Sequence, residues 1–244
     1  MIAADQPDPA DSELARQIQD RLTRARQRID QATAAADRPA GSVKLLLATK
    51  NQSADAIRCA LLAGAGLIGE NRVQELAAKG PALADLPHQT HFIGQLQSNK
   101  VNSALSWATC LETIDSLRLA QRVRLRCVAR PVPLEVMVQV NTSGEAAKNG
   151  VDPAQAEDLA CQVAELPGLR LTGFMTVGPL TDDAAQIARA YADLRQIRDR
   201  VVAAGGSLAD ATELSMGMSG DLEIAIAEGA SIVRLGTAVF GPRQ

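Results

Sequence analysis

The chain has 244 residues, a formal net charge of −3, 46% hydrophobic residues and only 2% aromatic ones. Such a chain is globular with a core of Ala, Val, Leu and Ile, and its near-balanced charge argues against nucleic acid as a partner. No apolar stretch reaches the ~20 residues of a membrane helix, and residues 1–11 lack the basic-then-apolar order of a signal peptide, so a cytoplasmic protein with no membrane partner is expected.

Residues 1–11 read as a disordered tail, and residues 12–244 as a single domain. Ser12 reads as the cap of a long helix to about Asp37, with Leu14, Ile18, Leu22, Ala25, Ile29 and Ala32 at helical spacing. From residue 43 the pattern changes to short apolar runs alternating with helical stretches. Strands are expected at 43–48, 67–69, 91–94, 109–114, 134–140, 169–175, 213–215 and 232–236. Helices are expected at 54–63, 73–78, 100–105, 116–128, 153–165, 182–204 and 222–228. Each strand but the last is thus followed by a helix. Strands such as Leu134-Glu135-Val136-Met137-Val138-Gln139-Val140 are largely apolar, as when both faces are covered. A TIM-type (β/α)8 barrel with an extra N-terminal helix fits this count, and a doubly wound open sheet is the alternative. The basic run 118–130 reads as the solvated face of a helix. Cysteines 59, 110, 127 and 161 form no CxxC pair and read as isolated, buried or half-buried thiols. His88 and His91 form an HxxH with no cysteine near them in sequence, so no metal site is expected.

In a barrel, chemistry sits where strands end. Lys50 follows the first strand, where an amine is placed to form a Schiff base with an aldehyde. Gly69-Glu70-Asn71 follows the second strand, and Gly94-Gln95-Leu96-Gln97-Ser98-Asn99-Lys100 the third. Ser215-Met216-Gly217-Met218-Ser219-Gly220-Asp221 runs from the seventh strand into a helix, and Gly236-Thr237 follows the eighth. Glycines and hydroxyls before a helix offer hydrogen-bond donors to an anion, and loops after strands seven and eight often hold a phosphate in barrels. Ser219 taken alone also reads as a helix cap. Arg234, inside the last strand, needs a partner if buried. It reads either as an ion pair with Glu213 or another carboxylate, or as an arginine aimed at a ligand. An aldehyde at one edge of a ligand and a phosphate at the other would bridge these elements, as in pyridoxal phosphate or, more loosely, a sugar phosphate.

The segments Ala48-Thr49-Lys50, Gly69-Glu70-Asn71-Arg72-Val73-Gln74-Glu75, His91-Phe92-Ile93-Gly94-Gln95-Leu96-Gln97-Ser98-Asn99-Lys100, Leu214-Ser215-Met216-Gly217-Met218-Ser219 and Val233-Arg234-Leu235-Gly236-Thr237-Ala238-Val239-Phe240-Gly241 resemble the pyridoxal phosphate homeostasis proteins, in order, over residues 43–243. The resemblance implies a barrel like the N-terminal domain of alanine racemase and pyridoxal 5'-phosphate (PLP) as cofactor, joined to Lys50 as a Schiff base. It implies that Arg234 meets the pyridine nitrogen, that Ser215, Ser219, Gly236 and Thr237 hold the phosphate, and that Asn71 lines the pocket near the ring. It also implies a role in cofactor storage, buffering or delivery to PLP-dependent apo-enzymes, with no established turnover. One departure is visible: the family often has a second lysine two residues after the first, and here that residue is Gln52. Lys148 is an alternative acceptor, or a surface charge.

Two-base racemisation needs a second acid–base group on the opposite face of the substrate. In the racemase that group is a tyrosine from an additional domain. This sequence ends at Gln244, just past the barrel, and its one tyrosine, Tyr191, reads as a half-buried packing residue in a helix. The expectation is therefore a monomeric, non-enzymatic PLP carrier with no catalytic residue. An active PLP enzyme such as an amino-acid racemase is the alternative, and a class I aldolase on the same barrel is a third reading.

Overall fold

The computed structural model of the protein describes residues 13–241. Helix α1 (Glu13–Ala35) precedes β1 (Lys44–Ala48), α2 (Ala54–Leu62), β2 (Leu67–Glu70), α3 (Val73–Leu83), β3 (Gln89–Phe92), α4 (Val101–Leu105), β4 (Cys110–Ile114) and α5 (Leu117–Cys127). Then come β5 (Leu134–Gln139), α6 (Ala156–Ala164), β6 (Leu169–Met175), α7 (Ala184–Ala203), β7 (Glu213–Ser215), α8 (Leu222–Ala227), β8 (Ile232–Leu235) and α9 (Thr237–Phe240). The eight strands pair in parallel in chain order, and β8 pairs back onto β1, so the sheet is a closed barrel rather than an open one. The expected tail and the Ser12 cap lie outside the described residues.

Closure gives each strand two faces of period two. Leu46, Leu67, Cys110, Met137 and Ile232 form a small cluster inside the barrel. Their chain neighbours Leu47, Ile68, Leu111, Val136, Val138 and Val233 belong to the main core with the helices. The parity matters for function. Lys44, Leu46, Ala48 and Lys50 alternate onto the interior side, so Lys50 comes up at the rim of the barrel and not among the helices.

Helix α1 packs outside against α2, α8 and α9. Its buried stripe is Ala15, Ile18, Leu22, Ala25, Ile29 and Ala32, whereas Leu14, the first residue of the expected stripe, is 41% exposed. Two arginines fasten it to the end of the barrel. Arg28 pairs with Glu223 and donates to the Ser219 carbonyl at 2.9 Å, and Arg38 donates to the carbonyls of Ile226 and Ala230.

Other departures from expectation have local causes. The helix expected over 73–78 runs on to Leu83 as α3, through Gly80 and Pro81. Gly80 is there to let the Trp107 ring approach, since a Cβ would fall 2.2 Å from it. Strand β3 starts and ends two residues earlier than expected, and the last strand is followed by the short helix α9. Cys161 is exposed, while the other three cysteines are buried. In α5 the arginines at 118, 122 and 126 are exposed opposite the buried Leu119, Ala120, Val123 and Cys127, as the sequence pattern requires.

The β6–β7 contact leaves no room for a side chain at Gly173, where a Cβ would sit 2.0 Å from the Glu213 carbonyl oxygen. Backbone cannot yield as a rotamer can, so Gly173→Ala is expected to destabilise the fold by about 3 kcal/mol in urea unfolding. A loss below about 0.5 kcal/mol would mean that the strands move apart freely.

Candidate functional site

At the carboxyl end of β1 the chain leaves the barrel through Thr49, Lys50 and Asn51. Thr49 is buried and donates its hydroxyl to Glu70 Oε2 at 2.9 Å. The Thr49 carbonyl accepts from Lys79 Nζ at 2.9 Å, and the same amine bridges Glu70 and Glu75 at 2.9 and 2.8 Å. Asn51, in the left-handed region at φ 60°, donates its N–H to Glu75 at 2.8 Å. Burial works to raise the Glu75 carboxyl, but Lys79, the Asn51 N–H and Arg72 outweigh it and hold the group below the usual carboxylate range. Lys50 is thus an exposed side chain on a backbone pinned on both sides. Its amine, like that of Lys100, has no hydrogen bond or ion pair among the described residues, whereas Lys44, Lys79 and Lys148 are each paired with a carboxylate.

Inside the barrel, Arg234 on β8 is 6% exposed. It pairs neither with Glu213, which is taken by Lys44 at 2.5 Å and by Ser231, nor with any other carboxylate directly. It donates instead to Ser215 Oγ at 2.9 Å and to the Thr176 carbonyl at 2.7 Å. Ser215 passes the charge on by donating to Glu112 Oε2 at 2.6 Å, and Glu112 Oε1 lies 2.6 Å from His91 Nδ1. Burial alone would raise the Glu112 carboxyl. His91, Arg234 and Ser215 together hold it below the ordinary carboxylate range. Ser215 is therefore brought to Arg234, with both its donor and an acceptor position already engaged.

The loop after β7 is held by two groups not foreseen as parts of the site. Asp221 Oδ1 accepts the Met218 N–H at 2.5 Å, and Asp221 Oδ2 accepts the Tyr191 hydroxyl at 2.6 Å. Asp221, not Ser219, stands at the N-cap of α8. Tyr191 is fully buried rather than half-buried, and burial together with the Asp221 carboxylate pushes its phenol well up. Gly217 takes φ 93° and offers its carbonyl to the Arg234 N–H at 3.0 Å, which ties this loop to β8. Ser219 is half-buried, and α1 holds its carbonyl through Arg28. Gly236 lies against β1, and a Cβ there would sit 3.1 Å from the Ala48 oxygen. Thr237 is exposed at the start of α9, where the N–H groups of Val239 and Phe240 donate to the Gly236 carbonyl at 3.0 Å and those of Thr237 and Ala238 bond no described residue. The Ser219 and Thr237 hydroxyls, like the Lys50 amine, carry no hydrogen bond among the described residues.

Asn71 completes the set. Its Oδ1 is buried and has no hydrogen-bond partner among the described residues. Gly94 makes room for its backbone, since a Cβ at that position would lie 1.9 Å from the Asn71 oxygen. A buried, unpaired amide oxygen is costly unless a partner arrives. Lys148 does not act as a loose surface charge. It is bonded to Glu145 at 2.7 Å and to the Gly178 carbonyl at 2.6 Å.

A closed parallel barrel with an unpaired lysine at the rim after β1 and a buried arginine in β8 defines the class. The family profile of the alanine racemase N-terminal domain matches residues 16–244. More narrowly, the chain belongs to the pyridoxal phosphate homeostasis protein family. It is 41% identical over 231 residues to the pyridoxal phosphate homeostasis protein of Pseudomonas aeruginosa, covering 93% of this chain and 96% of that one. A crystal structure of an unknown protein from Bifidobacterium adolescentis superposes with a TM-score of 0.89 at 43% identity, covering 94% and 96% of the two chains. PipY of Synechococcus elongatus, solved with PLP bound, superposes with a TM-score of 0.80 at 35% identity, covering 92% of this chain and 100% of that one.

The buried Glu112 sets a pH dependence. Its folded-state pKa is lowered, so it adds stability that is fully present above the ordinary carboxylate value of 4.5 and is lost as pH falls through the lower folded value. Urea unfolding of the wild type should weaken over that acid range. Glu112→Gln should be less stable at neutral pH by about 3 kcal/mol, since it strands buried Arg234, and the gap to wild type should narrow on acidification. A gap independent of pH would contradict an ionised Glu112.

Proposed function

We propose that this chain binds pyridoxal 5'-phosphate through a Schiff base at Lys50 and serves in cofactor homeostasis, storing, buffering or delivering it without turnover. The observation that carries this reading is the pinned backbone of Lys50. It presents an amine engaged by no described residue at the barrel rim, on the strand that pairs with the one carrying the buried Arg234. Polar atoms of the right kinds lie after other strands at the same end of the barrel and are uncommitted among the described residues: Asn71 Oδ1 and the hydroxyls of Ser219 and Thr237.

In this reading Ser219, Gly236 and Thr237 hold the phosphate, with the backbone N–H groups of Thr237 and Ala238 as further donors. Asn71 lines the pocket beside the ring. Arg234 faces the pyridine nitrogen, and Ser215 sets Arg234 in place rather than reaching the phosphate itself. When bound, the cofactor supplies an electrophilic aldehyde and an aromatic ring able to withdraw electrons. A guanidinium beside the ring nitrogen donates a hydrogen bond but no proton, which weakens that withdrawal. Arg234 therefore disfavours steps that need a strongly electron-withdrawing ring. Tyr191 favours holding over turnover, because its hydroxyl is buried and committed to Asp221.

Among the described residues no helix is long and apolar enough to cross a membrane. A cytoplasmic monomer that hands the cofactor to PLP-dependent apo-enzymes fits this reading. Gln52 offers no second amine beside Lys50, and Lys148 is bonded to Glu145 and Gly178, so release in this chain would not pass through either position without breaking those bonds.

Purified protein mixed with the cofactor should turn yellow and show the visible band of a Schiff base, removed by dialysis far more slowly than free cofactor. Lys50→Ala should stay folded and colourless. A wild-type protein that ignores added cofactor, or a yellow Lys50→Ala protein, would overturn the assignment.

A further inference from the structure

The amino-terminal end of the barrel, opposite the Lys50 rim, carries a second set of chemically active side chains. Register puts them there. His91 on β3 is the pairing partner of Cys110 on β4, and Cys110 is the partner of Glu135 on β5. All three occupy inward positions of neighbouring strands, so the pleat lines up an imidazole, a thiol and a carboxylate in one row. One ligand atom from each lies within 4.8 Å of the other two. His88-x-x-His91 has no cysteine near it in sequence, but strand pairing supplies one.

Three further observations favour a cation there over simple packing. First, His91 is 4% exposed and its Nδ1 is fixed by the fully buried Glu112 at 2.6 Å. Nε2 then has no hydrogen-bond partner among the described residues. A carboxylate bonded to one ring nitrogen is the usual support of an imidazole whose other nitrogen binds a metal. Second, the hydrogen bond of Glu135 with Arg170 uses Oε1, and Oε2 accepts no hydrogen bond among the described residues. Third, a cavity of about 360 Å³ lined by His91, Glu135, Met137 and Thr172 opens at this end and gives an entry path, and its two cations, Lys44 and Arg170, are paired with Glu213 and Glu135.

We propose that His91, Cys110 and Glu135 form a binding site for a divalent cation of the zinc class, with the fourth position open to the cavity. Nitrogen, sulfur and carboxylate oxygen together suit such an ion better than magnesium or calcium, which take oxygen alone. Ligand atoms on a tetrahedral zinc lie roughly 3.5 Å apart, so the row closes on the ion by side-chain adjustments of about 1 Å. Binding exchanges the Cys110 thiol proton for the metal, and that proton leaves to solvent.

Cobalt(II) is the probe, because its visible bands report four-coordinate geometry. Added to the cofactor-loaded protein, it should give saturable bands at one equivalent per chain that vanish when zinc is added. Zinc should also raise the midpoint of thermal unfolding. Cys110→Ser should abolish both effects, Glu135→Gln should weaken binding by at least about tenfold, and Cys161→Ser, which removes the exposed thiol, should leave both unchanged. If Cys110→Ser does not fold, Glu135→Gln decides the matter. No saturable bands in the wild type, or bands that survive Glu135→Gln at full affinity or disappear in Cys161→Ser, would overturn the proposal.

Discussion

Arg234 carries a permanent charge into the middle of a closed barrel, and the surrounding residues are arranged to meet it. A guanidinium cannot shed its proton there, so burial must be offset by hydrogen bonds and counter-charge. The carboxylate that the sequence offers as its partner, Glu213, sits at the other end of the strands and is occupied by Lys44. The charge is met through Ser215 by Glu112 on the far side of the barrel, and Glu112 is met in turn by His91. This chain crosses the interior from β8 to β7, β4 and β3. It fixes the guanidinium at one height below the rim where Lys50 emerges.

The two ends of the proposed cofactor site are built differently. The lysine end depends on the triad Glu70, Glu75 and Lys79, which holds the backbone on both sides of Lys50 while leaving the side chain free. The phosphate end depends on elements outside the barrel. Arg28 of α1 grips the Ser219 carbonyl, and Tyr191 of α7 grips Asp221, which grips Met218. The leading helix is therefore part of the site's support.

Much of this was legible in the sequence, because the barrel rests on local signals. The alternation of apolar strand and amphipathic helix needs no long-range information, and Lys50, Asn71, Ser219, Gly236 and Thr237 follow directly from counting strand ends. What was not legible depends on contacts across the barrel. Nothing near Arg234 in sequence points to Glu112, more than a hundred residues from Ser215, as its counter-charge. The helix expected to end at residue 78 continues past Gly80, whose bare Cα admits Trp107, and Leu14 reads as core until the rotation of α1 is known. His91 and Cys110 are nineteen residues apart and meet only through strand register, so the HxxH reads as inert in one dimension and as part of a ligand row in three.

The central claim is that one amine, Lys50, carries the cofactor. Borohydride reduction of the cofactor-loaded protein, followed by proteolysis and mass mapping, tests it most directly. A single pyridoxyl adduct on the peptide that contains Lys50, with Lys100 and Lys148 unlabelled, is the predicted result. Label on another lysine in place of Lys50, or no stable adduct at all, would contradict it.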